Sequence, residues 1–243
     1  MGKNSLKSIA LGLAVGMVVL GCASAADAAV IAQWTFETST LGSSTPSITQ
    51  SSITTTDLAA LSPDTGSGSA TGSHASSSTV WTSPAGNGST KSLSSNNWAI
   101  DDFLEFDTTT TGYSNLVLTF DQNGSGTGPK TFKVQYNTGS GWTDLLSGGY
   151  SIPASVSWSS STPNASGTTT FTFSLPDSST GVRLVNTSNA TGGNINGGNV
   201  GTSGTSRVDN VTISGDVAGV PEPASLSVLA LGGFALLARR RRA

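Results

Sequence analysis

The sequence predicts an all-β chain: a β-sandwich of jelly-roll type, with an N-terminal signal helix and a single C-terminal transmembrane helix. Three observations carry this. Charged residues make up only 10% of the chain, against roughly a quarter in an ordinary globular domain. Gly, Ser, Thr and Asn take their place, which favours turns and extended backbone over long helices. Between Gly, Asn and Pro turns, short segments alternate apolar and polar side chains, as half-buried strands do. Finally, apolar runs with basic flanks stand near both ends and nowhere between.

Residues 1–28 read as a secretory signal. Lys3 and Lys7 form a positive start, and Ile9 to Leu20 is an apolar run. About a dozen residues suit a signal and fall short of an ordinary span. Cleavage is expected after Ala28, on Ala26-Asp27-Ala28, with Ala23-Ser24-Ala25 as the alternative site. A rival reading takes Val19-Leu20-Gly21-Cys22 as a loose lipobox that lipidates Cys22. Cys22 is the only cysteine, so the exported body has neither disulfides nor a thiolate metal site.

Residues 29–216 form the predicted sandwich. A strand opens it at Val30 to Glu37. The Ser/Thr/Gly-rich stretch near 38–79 has no sustained period and reads as a long insertion, with a short helix around Thr56 to Leu61. Strands follow at Thr79 to Trp81, Trp98 to Asp107, Asn115 to Asp121 and Thr131 to Asn137. Further strands are expected at Trp142 to Leu146, Val156 to Trp158, Thr169 to Leu175, Val182 to Val185 and Arg207 to Ser214. One-sided alternation calls for two sheets face to face. In a jelly roll the first and last strands can pair.

Residues 217–243 are of another kind. Pro221-Glu222-Pro223 is stiff, and a helix starts only after it. Ala224 to Ala238 is apolar, and Arg239-Arg240-Arg241-Arg242 follows. At 1.5 Å per residue the apolar run reaches roughly 22 Å, against about 30 Å of hydrocarbon core. It is a weak span, which the Arg run orients with the body away from the cytoplasm. The three-part tail resembles the PEP-CTERM sorting signal of Gram-negative bacteria, a short domain also labelled the ice-binding protein C-terminal domain. The resemblance covers about Val220 to Arg242. It implies recognition of Pro221-Glu222-Pro223 by the membrane transpeptidase exosortase, removal of the helix and Arg run, and a link to exopolysaccharide and the outer surface or biofilm matrix. Thr108 to Thr111 has no fixed-period Thr repeat, so the second label does not make this an ice-binding protein.

The body resembles secreted bacterial β-sandwich domains more loosely, through Trp34-Thr35-Phe36-Glu37 at its start and Arg207-Val208-Asp209-Asn210-Val211-Thr212-Ile213 at its end. In carbohydrate-binding sandwiches a structural calcium sits where such strands meet, which points to Glu37 and Asp209 as ligands. The bland alternative is that both hold turn backbone. Trp142, just after a Gly-rich turn, is the candidate sugar platform, although most tryptophans serve the core. By period-2 counting Asp101, Glu105 and Asp107 share a strand face, and Asp102 joins Ile100 and Leu104 on the other. Paired carboxyls are what glycoside hydrolysis uses, yet four acids in seven residues also mark a solvated face. His74, the only histidine, lies among Ser and Gly and reads as a mobile surface residue.

From Val30 to Gly219 there are five basic residues against twelve acidic ones, a net charge near −7. That balance argues against nucleic-acid binding. The sequence therefore predicts a non-enzymatic structural protein, exported by the Sec machinery and sorted by exosortase. Its route runs through the inner membrane to the envelope, outer surface or exopolysaccharide matrix. The alternatives are a carbohydrate-binding module with a structural calcium and, less favoured, a glycoside hydrolase.

Overall fold

The computed structural model describes residues 28–165, 169–188 and 191–218. They belong to one compact unit, Asp27–Gly219. The expected leader, the Pro-Glu-Pro segment, the apolar run and the Arg run all lie outside the described residues. Among the described residues, no helix is long and apolar enough to cross a membrane.

The strands are β1 (Ala29–Trp34), β2 (Ile48–Thr49), β3 (Ser52–Ile53), β4 (Thr65–Gly66), β5 (Gly68–Ser73), β6 (Val80–Thr82), β7 (Leu93–Ser95), β8 (Phe103–Thr108), β9 (Tyr113–Gly124), β10 (Thr131–Asn137), β11 (Trp142–Asp144), β12 (Tyr150–Ser151), β13 (Thr170–Ser174), β14 (Gly181–Asn186) and β15 (Ser206–Val217). They form two antiparallel sheets. The first runs β13-β9-β15-β7-β6-β2, with β1 pairing β15 and β4; the second runs β11-β10-β14-β8-β5-β3, with β12 on β10. The first and last strands pair antiparallel, with Trp34 opposite Val211 and Ala29 opposite Gly215.

Alternation decides what each sheet buries. Leu116, Leu118 and Phe120 of β9 point inward, as do Phe132 and Val134 of β10 and Leu104 and Phe106 of β8. The two inner faces share one core. Trp34 of the first sheet meets Phe106 of the second edge-on, with ring centroids 5.2 Å apart. Phe120 likewise meets Tyr150, at 5.7 Å. Such edge-to-face pairs add about 0.5–1.5 kcal/mol beyond the area they bury.

Residues 38–79 are not an insertion beside the sandwich. They supply β2 to β5, and so reach the edges of both sheets. The stretch also puts Leu41, Ile53, Leu58 and Leu61 into the core. Its helical part is a single 3-10 turn, Ala59–Leu61. The strand period is hidden because small residues occupy the inward positions. At Gly72 an added Cβ would stand 2.1 Å from Trp81 Cη2, so the indole fills the space of the missing side chain.

Two expected strands fall short. Val156 to Trp158 is irregular backbone, and Trp158 is buried there with Nε1 donating to Thr169 Oγ1 at 3.0 Å. The strand expected from Trp98 begins only at Phe103, because Asp101 adopts a left-handed φ of 69°. That turn breaks the period, so Ile100 is 54% exposed instead of joining Leu104 inside.

Candidate functional site

The outer face of the second sheet gathers the polar groups with the most chemistry. Antiparallel register sets them in rows. Ser69, Asp107, Gly181, Asn137 and Trp142 lie side by side across β5, β8, β14, β10 and β11. The next row holds Thr71, Glu105, Arg183, Gln135 and Asp144.

Arg183 is the hub. Its Nε donates to Glu105 Oε2 at 2.5 Å, and its Cζ lies 4.0 Å from the ring centroids of both Phe103 and Trp142. A guanidinium clasped between two rings and a carboxylate is fixed in direction as well as charge. Of the five tryptophans, Trp34, Trp81, Trp98 and Trp158 are buried and only Trp142 sits half-exposed on this outer face. One of its ring faces is already covered by Arg183.

Asp107 is half-buried beside this hub. Burial is the largest cause that raises its pKa, to about 7. The hydrogen bond it shares with Glu105 and the charge of Glu105 add to the rise, and Arg183 partly offsets it. Gly181 makes room for the carboxyl: a Cβ there would stand 2.3 Å from Asp107 Oδ1 and 3.1 Å from Trp142 Cη2. Next to Asp107 opens a cleft of about 360 Å³, lined by Ser67, Gly68, Ser69, Asp107, Thr108, Thr109 and Thr180. Thr108 Oγ1 donates to Ser67 O at 2.7 Å and Thr180 Oγ1 to Asn137 O at 3.2 Å. The hydroxyls of Ser67, Ser69 and Thr109 have no partner among the described residues.

Of the four clustered acids, only Glu105 and Asp107 come together. Asp101 is exposed at the turn, and Asp102 is buried with its oxygens accepting from Ala75 N (2.7 Å) and Ala99 N (2.6 Å). Glycoside hydrolysis uses two acids that flank the scissile bond; here Glu105 is held by Arg183 Nε, and the cleft beside Asp107 is lined by no second carboxyl.

Glu37 and Asp209 clasp one loop from its two ends. Glu37 Oε1 accepts from Lys91 N at 3.0 Å and Oε2 from Thr90 Oγ1. Asp209 Oδ2 accepts from Asn87 N (2.8 Å) and Ser89 Oγ (2.5 Å), and Oδ1 from Asn210 N (2.8 Å). Asp209 is fully buried, and burial raises its pKa to about 7 against the lowering effect of these bonds; the charge of Asp121 opposite it in register adds to the rise. Among the described residues, no cluster of three or more His, Cys, Asp or Glu could hold a metal ion.

His74 is a correction to the sequence reading. It is buried, 5% exposed, not mobile at the surface. Trp98 and Trp81 pack on it, with centroids 4.3 and 4.9 Å away. Its Nε2 lies 3.2 Å from Ser95 Oγ and its Nδ1 3.2 Å from Asp102 Oδ2, the latter off the line that a hydrogen bond needs. The group has the composition of a nucleophilic triad. All three residues are buried, however, and neither the cleft by Asp107 nor a second one, lined by Asn115 and Asp177, includes any of them. The available signal was small-residue alternation: Ala70, Gly72 and His74 all face inward at period two.

Residues 219–242 match the PEP-CTERM protein-sorting motif. No curated protein matches the chain. Among solved structures, the chain is similar to the K3 cleaved adhesin domain of Lys-gingipain from Porphyromonas gingivalis, at 14% identity and a TM-score of 0.38, covering 77% of this chain and 98% of that one. Another cleaved adhesin domain of the same Lys-gingipain is similar at 14% identity and a TM-score of 0.37, covering 76% and 97%.

Proposed function

We propose that this chain is an exported surface protein whose tail is an instruction for exosortase. The observation that carries this reading is the sorting-motif match at 219–242, directly behind the last strand, which ends at Val217. Sec export delivers the body across the inner membrane. The short apolar segment and Arg239-Arg240-Arg241-Arg242 hold it there while Pro221-Glu222-Pro223 is recognised. The backbone pairing of the sandwich reaches Ala218, whose N–H donates to Gly112 O at 2.7 Å, immediately before the matched motif. The released body then serves at the cell surface or in an exopolysaccharide matrix, without catalysis. Mass spectrometry of the protein from its native envelope tests this. The mature form should lack both the leader and Arg239 to Arg242. A mature protein that keeps the Arg run would refute exosortase processing.

A second reading is a carbohydrate-binding module with a structural calcium: Trp142 on an outer sheet face supports the carbohydrate part, while Glu37 and Asp209 meet at one loop but spend their oxygens on N–H and hydroxyl groups. Sugar-induced change in tryptophan fluorescence would support it, and no response across a glycan panel would end it.

A further inference from the structure

The cleft beside Asp107 lies on a rigid part of the second sheet. Three paired strands, β5, β8 and β14, frame it, and Asp107, Thr180 and Ser69 reach it from these strands or their immediate ends. Rigid strands hold binding groups in place better than loops do. Its volume, about 360 Å³, is at the small end of ligand pockets, which run about 300–1,000 Å³. It therefore suits one small unit of a longer ligand.

The lining states the chemistry. It offers hydroxyls and one carboxyl, and no cation. The nearest guanidinium, Arg183, is held by Glu105 and two rings. An anionic ligand would meet the carboxyls of Asp107 and Glu105 with no free positive charge to offset them. An apolar ligand would leave the hydroxyls of Ser69 and Thr109 unpaired. A neutral polyol pairs with both sets: its vicinal hydroxyls donate to a carboxylate and accept from Ser and Thr. Trp142 and the same carboxyl border the Gly181 gap together, each within 3.1 Å of where a Cβ would stand there, so the indole is close enough to report on what happens at Asp107.

We propose that this cleft binds a single neutral sugar residue of a polysaccharide, with the Asp107 carboxyl gripping a vicinal diol and the Ser69, Thr109 and Thr180 hydroxyls around it. The assignment rests on the carbohydrate-binding reading above and gives it a location and a ligand class. Bound sugar would compete with Glu105 for the Asp107 carboxyl, which changes the field at Trp142.

The test uses the full-length purified protein. Neutral dextran, galactan and mannan oligosaccharides are titrated against tryptophan fluorescence, beside anionic alginate oligosaccharides. The expected result is saturable binding of at least one neutral series and none of alginate. Asp107→Ala and Thr109→Val should each weaken the neutral series at least tenfold, with melting curves confirming that the variants fold. Lys133→Ala, on the same sheet but away from the cleft, should leave affinity within twofold. If no glycan binds the native protein, the carbohydrate reading fails and the site falls with it. If a glycan binds but the Asp107 and Thr109 variants keep full affinity, the reading stands and this location is overturned. Alginate binding equal to or tighter than the neutral series overturns the ligand class.

Discussion

Replacing Asp209 by Asn is the sharpest test of the electrostatics inside the sandwich. Asp209 is buried among Asn87, Ser89 and Asn210, and its pKa is raised from 3.8 to about 7. A folded-state value above the unfolded one means that the native state holds the proton more tightly. Its contribution to stability is therefore whole below pH about 4 and drains away as pH rises through about 7. Full ionisation costs about 4 kcal/mol, and the larger part of it, about 2–3 kcal/mol, falls between pH 5 and pH 8. Asn has the same shape and no charge to bury. It gives up one of the two backbone N–H bonds, about 1 kcal/mol at every pH. In EDTA, urea unfolding followed by tryptophan fluorescence should show the variant gaining on the native protein by about 2–3 kcal/mol between pH 5 and pH 8. Parallel pH profiles would refute the argument. Repeating the series in calcium tests the metal proposal for Glu37 and Asp209. A bound cation favours the carboxylate and reverses the sign, so native stability would then rise with pH and the Asn variant would lose its advantage.

Other expectations follow from packing and charge. Asp102→Ala strips the acceptors of Ala75 N and Ala99 N and leaves His74 facing a void; a loss of about 3 kcal/mol is expected in thermal or urea unfolding. Gly72→Ala drives a methyl into Trp81 Cη2, 2.1 Å away, and should cost about 1–3 kcal/mol while Trp81 emission shifts. Arg183→Gln removes the charge that partly offsets the rise at Asp107. Carboxyl-resolved NMR should then find Asp107 titrating still higher, and an unchanged or lower midpoint would contradict the assignment.

Where a strand carried large apolar residues at period two, the sequence spelled it out. Thr131–Asn137 is bounded as expected, and the pairing of the first and last strands was readable from Trp34 and Val211 as strong strand formers at either end. Legibility failed where small residues do the burying. Ala70 and Gly72 of β5, and His74 just after it, face inward, yet their neighbours are Ser, Thr and Gly, a composition that reads as loop. It failed again at Asp101, since alternation counts residues and is blind to one left-handed φ. At the candidate site, the shared face of Glu105 and Asp107 came from counting along one strand. The contribution of Arg183 and Gly181 did not, because register across strands is a tertiary fact that no local pattern encodes.

The position of β15 has a consequence for the order of events during export. This strand lies inside the first sheet, between β9 on one side and β7 and β1 on the other, and it is the last strand before the tail. A chain emerging N-terminus first has β1, β7 and β9 outside while the seam that joins them is still inside. Until β15 follows, long rows of unpaired backbone groups stay open to neighbouring chains. If the sorting motif at 219–242, which follows that seam directly, tethers the chain as proposed above, the tether would hold each copy apart from the others during the interval in which the seam closes. Sorting signal and folding checkpoint would then be read from the same stretch of time.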